Sequence, residues 1–135
     1  LVLNGDSFFD VNISNHFNNH ISKKSDCTLA LRKVDNAARY GTILLGNENA
    51  IESFKEKDNI ELAGLINGGV YILNRELYLS KTEEAVSFSI EKDFYESKAN
   101  ELNIFGFEYN GYFLDIGIPE DYKKAQTDFR NFKYK

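Results

Sequence analysis

Apolar runs bounded by Gly, Asn and Asp clusters cut this chain into short strands, and segments of helical spacing lie between them. Leu1–Asn4 lacks polar alternation, the pattern of a central strand. Gly5 permits a tight turn, and Phe8, Phe9 and Val11 are apolar again. Ser14–Lys24 suits a helix capped by Asn12 or Ser14, with Phe17 and Ile21 four apart on its apolar face. Cys27–Val34 and Tyr40–Leu45 have strand character, and the Gly46–Asn49 cluster turns the second into a hairpin partner at Ala50–Lys57. Leu65–Leu73 is a strong apolar strand interrupted by Asn67-Gly68-Gly69. A short helical turn at Asn74–Leu79 and a helix over Ser87–Ser97 follow, the latter with Ile90 and Phe94 near one face. Leu102–Tyr109 is a strand, and Asn110-Gly111 predicts a hairpin into Tyr112–Asp115. Pro119 then opens a helix that continues over Glu120–Lys133, with Tyr122, Ala125, Phe129 and Phe132 at helical spacing. Alternating strands and helices with inserted hairpins predict one α/β domain over residues 1–135, a mixed sheet on one continuous core.

Composition narrows the class. The 135 residues suffice for a real core, and 42% hydrophobic content excludes a disordered or fibrous chain. No run approaches the ~18 apolar residues of a membrane span, and no signal-peptide pattern is visible. A formal charge of −5 and the lack of a Lys/Arg stripe argue against a nucleic-acid partner. Cys27 is the single cysteine, which excludes an internal disulfide, and its apolar setting predicts a buried inert thiol. The chain opens inside an apolar strand and contains no Met, so the expectation is that an N-terminal part of a longer protein precedes it.

Asp6 and Asp115 each end an apolar strand, the place where α/β folds put ligand chemistry. Two converging carboxylates can hold a hard cation such as Mg²⁺ and leave positions for phosphate oxygens, as phosphoryl or nucleotidyl transfer requires. Each Asp is equally well explained as a turn cap beside a glycine, so both readings stand at this level. Glu56-Lys57 could bind a sugar hydroxyl and a phosphate, or be a solvated turn beside Lys55 and Asp58. The glycines of Asn67-Gly68-Gly69 and of Tyr40-Gly41 mark either a bulge or a close approach to a ligand. His16 and His20 are four apart but lack an HExxH pattern; they are expected on a polar, Asn-rich helix surface.

Taken in order, LVLNGDS, Arg39-Tyr40-Gly41, Phe54-Lys55-Glu56-Lys57, LINGGVYIL, SFSIEKDF and YFLDIGIPEDYKKAQ resemble the later part of the sugar-phosphate nucleotidyltransferases. The wording is most similar to bacterial D-glycero-α-D-manno-heptose 1-phosphate guanylyltransferases and their mannose-1-phosphate guanylyltransferase relatives. The resemblance implies a Rossmann-like nucleotidyltransferase fold: a mixed, mostly parallel sheet flanked by helices, with its N-terminal strands missing here. It also implies a reaction in which a sugar 1-phosphate attacks the α-phosphorus of a nucleoside triphosphate, releasing pyrophosphate. By motif, Asp6 and Asp115 look like Mg²⁺ ligands and catalytic residues. Asn4, Gly5, Gly41, Glu56, Asn67 and Gly68 look like substrate contacts, and Lys57 like a catalytic sugar-phosphate contact. Glu91 belongs to a block whose implied role is mostly structural.

The family's Gly-rich triphosphate loop is absent from these residues, so this stretch alone is expected to be inactive while its parent is an enzyme. Asp58 stands where many relatives have Gly or Pro, which leaves the sugar preference open. The implied partners are a nucleoside triphosphate, GTP favoured, and a sugar 1-phosphate. A bacterial, cytoplasmic protein of polysaccharide biosynthesis is expected, with homo-oligomerisation compatible with an exposed first strand. The alternatives are a non-catalytic sugar-phosphate-binding module and a uridylyltransferase acting on an amino-sugar 1-phosphate.

Overall fold

A computed structural model describes residues 1–55, 62–82 and 87–132. Eight strands follow the chain: β1 (Val2–Leu3), β2 (Ser7–Phe9), β3 (Cys27–Val34), β4 (Thr42–Leu45), β5 (Ile51–Lys55), β6 (Gly64–Leu73), β7 (Ile104–Glu108) and β8 (Phe113–Asp115). The helices are α1 (Ile13–Ser22), α2 (Arg75–Lys81) and α3 (Pro119–Asp128), with a π-helical stretch at Ile90–Glu96. The main sheet runs β5-β4-β6-β3-β7, and β1 adds to β6 beyond the point where β4 ends. The strands β2 and β8 pair separately as a two-stranded sheet.

The expected mixed sheet flanked by helices is therefore present. Its parallel content is smaller than expected: among the described residues only β3–β7 is parallel, and the other pairings of this sheet are antiparallel. Parallel neighbours need a long crossover, whereas β4 and β5 are joined by a tight turn.

Strand alternation splits the core in two, where one continuous core was expected. Cys27, Leu29 and Leu31 point to one face of β3, where they meet Tyr71, Phe94, Tyr95 and Ile104. Ala30 points to the other face and packs with Phe9, Val11 and Val70. The π-helical stretch covers the first face through Phe94 and Tyr95, both fully buried. Its start is pinned reciprocally: Ser89 Oγ accepts from Lys92 N–H, and Asp93 accepts from Ser89 N–H at 2.7 Å. Cys27 is buried as expected, and burial pushes its thiol up to about 12.

Val2 and Leu3 pair with β6 on one side among the described residues and are 37% and 59% exposed. Two further expectations are corrected. Asn110-Gly111 does not close a hairpin, because β7 pairs with β3 while β8 crosses to β2. Gly111 is needed there, since a Cβ would lie 1.8 Å from the Asp10 carbonyl oxygen. Lastly, α1 presents the opposite face. Asn12 caps it, accepting from Asn15 N–H at 2.9 Å, but Phe17 and Ile21 are exposed while His16 and His20 are buried. His16 Nδ1 shares a hydrogen bond with Tyr109 Oη at 3.1 Å, and His20 Nδ1 shares one with Thr28 Oγ1 at 2.9 Å. These partners let imidazoles replace aliphatic groups in the interior.

Burial lowers His16 from 6.5 to about 4 and also lowers His20. The neutral ring therefore contributes stability that is complete above pH 6.5 and is lost as pH falls toward 4. Denaturant unfolding at pH 7 and at pH 4 is expected to show a loss on the order of 3 kcal/mol from His16, and a His16→Gln variant should flatten that dependence. A Cβ at Gly68 would lie 2.3 Å from the Phe9 ring and 3.0 Å from the Ala30 carbonyl oxygen. Gly68→Ala is expected to lower unfolding stability by about 1–3 kcal/mol, measurable by thermal or denaturant melts.

Candidate active site

A cleft of about 260 Å³ opens where the ends of β1, β2, β4, β5 and β8 meet the bulged middle of β6 beside the π-helical stretch. Asn4, Asp6 and Ser7 line it from the β1–β2 turn, and Asp115 lines it from the end of β8. The two acidic residues meet because β2 and β8 are antiparallel, with Ser7 opposite Asp115 and Ile116 N–H donating to the Asp6 carbonyl at 2.9 Å. Asp115 Oδ1 accepts from Gly117 N–H at 2.8 Å, so the turn-cap reading holds for this residue together with its place in the cleft. Asp6 Oδ1 accepts from Ser7 Oγ at 3.2 Å. Neither carboxylate is ion-paired among the described residues.

The entry to β4 and the end of β5 add a wall of Tyr40, Gly41, Thr42, Phe54 and Lys55 to the lining. Gly41 is tightly seated, since a Cβ would lie 3.0 Å from the Lys55 carbonyl oxygen. The Tyr40 ring packs edge-on against Phe113, which ties this wall to β8. Arg39 lies over the Tyr40 ring and pairs with Asp121 in the first turn of α3 at 2.8 Å. That hydrogen bond raises the Arg39 pKa, with Tyr40, Asp121 and Asp115 adding to it electrostatically against a smaller cost of burial.

Asn67 forms the floor. Its Nδ2 donates to Tyr71 Oη at 2.7 Å and to Glu91 Oε1 at 2.6 Å, while its Oδ1 accepts from Gly69 N–H at 3.1 Å. Burial, first, drives the Tyr71 phenol upward. Glu91 and Glu96 also line the cleft, so the block read as mostly structural contributes polar groups to it.

Of the residues singled out from sequence, Asn4, Asp6, Gly41, Asn67 and Asp115 converge here. Gly68 lies beneath, against Phe9. Gly5 lines a neighbouring hollow with Ile116, Tyr122 and Phe129. Glu56 and Lys57 lie outside the described residues; Lys55, just before them, lines the cleft. The lining residues not assigned a site role from sequence are Ser7, Tyr40, Thr42, Ile43, Phe54, Lys55, Glu96 and Glu91, the last having been read as mostly structural. Their one legible sign was adjacency, since Tyr40, Lys55 and Glu91 sit inside blocks whose neighbours carried the reading.

The donor set suits a hard cation that completes its shell elsewhere. Asp6 and Asp115 line one cleft from paired strands, and among the described residues no cluster of three or more His, Cys, Asp or Glu side chains is placed to hold a metal. A small divalent ion of the Mg²⁺ type takes one or two carboxylates plus water and substrate phosphate oxygens. Among the described residues no helix is long and apolar enough to cross a membrane.

The chain is similar to several known proteins. A D-glycero-alpha-D-manno-heptose 1-phosphate guanylyltransferase of Aneurinibacillus thermoaerophilus is 40% identical over 132 residues, which is 98% of this chain and 56% of that protein. The enzyme of the same name from Campylobacter jejuni is 36% identical, across 90% of this chain and 52% of the relative. The crystal structure of HddC from Yersinia pseudotuberculosis superposes with a TM-score of 0.77 at 30% identity, over 94% of this chain and 53% of that one. The chain thus spans about half the length of these relatives. Residues 1–131 match the family described as Nucleotidyl transferase, and the chain belongs to that family.

Proposed function

We propose that the protein containing this chain is a guanylyltransferase that transfers the nucleotidyl group of a nucleoside triphosphate to a sugar 1-phosphate, with GTP and a manno-configured heptose 1-phosphate as the favoured pair. The observation that carries this reading is the convergence of Asp6, Asp115, Gly41 and Asn67 in one cleft. The names of the guanylyltransferase relatives support the donor and the acceptor class.

In the proposed reaction an oxygen of the sugar 1-phosphate forms a new bond to the α-phosphorus. The bond from that phosphorus to the bridging oxygen breaks, and pyrophosphate leaves with the electron pair. Asp6 and Asp115 are the residues that would hold Mg²⁺, whose chemistry there is to neutralise charge on the reacting phosphates. Asn67 and Gly41 line the cleft and are assigned to the sugar. Glu56 and Lys57 are assigned the sugar hydroxyl and the sugar phosphate. The protein is placed in the cytoplasm, where its triphosphate substrate is made.

The test is pyrophosphate release by the full-length protein with GTP, UTP or dTTP against a panel of sugar 1-phosphates. Release with GTP and a heptose or mannose 1-phosphate is expected. A preference for UTP with an amino-sugar 1-phosphate would replace the guanylyl reading. Binding of sugar phosphate without turnover would establish a non-catalytic module. Asp115→Asn keeps the acceptor for Gly117 N–H but removes the charge. It is expected to leave the melting temperature within a few degrees while cutting kcat by about 100-fold or more.

A further inference from the structure

Asn67 looks at first like the sugar ligand on the cleft floor, but its hydrogen-bonding capacity is largely used inside the protein. Both N–H groups of an amide nitrogen are available once each, and Asn67 gives them to Tyr71 Oη and Glu91 Oε1. Its oxygen already accepts from Gly69 N–H. These partners also fix which way the amide points, since Gly69 offers only a donor and a Glu91 carboxylate only acceptors.

Glu91 is in the opposite condition. One carboxylate oxygen takes the bond from Asn67, and a carboxylate has about four lone-pair sites in all. It lines the cleft and has no ion pair among the described residues. Its position is also held firmly. The Ser89–Asp93 reciprocal cap fixes the backbone on one side of it, and the fully buried Phe94 and Tyr95 anchor the other. A rigidly mounted acceptor facing a polar cleft is what discriminates hydroxyl donors, because a hydroxyl missing from the ligand leaves that charge desolvated and unpaired.

We propose that Glu91 is a specificity-determining residue of the sugar pocket: its free carboxylate oxygen accepts a hydrogen bond from a sugar hydroxyl, and Asn67 positions that carboxylate. This rests on the sugar 1-phosphate reading of the cleft and deepens it by naming the side chain that reads the sugar.

The experiment compares the full-length wild type with Glu91→Gln, which keeps size and can still accept from Asn67 while turning a donor toward the sugar. Kinetics and calorimetric binding are measured with D-mannose 1-phosphate and its monodeoxy analogues. Glu91→Gln is expected to raise KM and Kd for the sugar phosphate by about 10- to 100-fold. The KM for the triphosphate and the melting temperature should stay put. One monodeoxy analogue should bind much more weakly than the parent sugar to the wild type but no worse than the parent to Glu91→Gln. If every analogue keeps the same ratio in both proteins, or if both substrates weaken together, Glu91 is structural and the proposal is overturned. Wild-type binding without turnover would defeat the guanylyltransferase reading while the binding ratios still decide on Glu91. If the wild type binds no sugar phosphate, both readings fall.

Discussion

The bulge in β6 is the constraint on which the cleft depends. Leu29 of β3 faces Tyr71, and Leu31 faces Asn67, so β6 uses extra residues between two points that β3 spans directly. The slack falls at Gly68 and Gly69. Gly69 takes a φ of +76°, which a glycine adopts at little cost, and its carbonyl accepts from Asn4 N–H at 2.9 Å. Gly68 leaves room for the Phe9 ring to lie against the sheet. Phe9 carries β2, and β2 pairs with β8. The positions of Asp6 and Asp115 therefore follow from an absent side chain two strands away, and Asn67 enters the cleft from the same irregularity. A regular β6 would keep its ladder and lose this convergence.

The charge of the cleft sets the next condition. Asp6, Asp115, Glu91 and Glu96 line it, and Lys55 is the one cation lining it among the described residues. A phosphate ester entering such a space meets repulsion that grows as water is excluded, because Coulomb energies rise steeply as the local dielectric falls. Compensating positive charge is therefore part of any proposal for phosphate chemistry here. A divalent ion held by Asp6 and Asp115 would supply it, and the role proposed for Lys57 toward the sugar phosphate would add to it. The carboxylate of Glu91 lies with Asn67 on the floor, where a neutral hydroxyl is the compatible partner.

Much of this was legible in the sequence, and the failures have a common cause. Strands β3, β4, β5, β6 and β7 are marked by apolar runs between turn residues, and Asp6 and Asp115 by their places at strand ends. What local pattern cannot decide is which of two equivalent faces or partners the tertiary structure selects. On α1, Phe17 with Ile21 and His16 with His20 have the same spacing. Thr28 and Tyr109 settle the choice by offering hydrogen bonds to the imidazoles, from residues 8 and 93 positions away. Asn110-Gly111 has hairpin chemistry, yet β8 follows β2, where Phe113 meets Phe9 ring against ring at 5.6 Å. The Gly68-Gly69 pair left a bulge and a close approach both open in the sequence; the fold shows the bulge, with the Phe9 ring against Gly68.

Glu91 shows the same limit within a single turn. In an α-helix, residues at i, i+3 and i+4 share a face, which would set Glu91 among the core contacts of Phe94 and Tyr95. That grouping favours a buried structural role for the whole block. The chain instead winds as a π-helix over Ile90–Glu96, and the wider turn rotates Phe94 further from Glu91 than an α-turn would. Phe94 and Tyr95 remain fully buried while the carboxylate reaches Asn67 at the cleft. One short segment thus both seals a core, through Phe94 and Tyr95, and presents a charged acceptor, through Glu91.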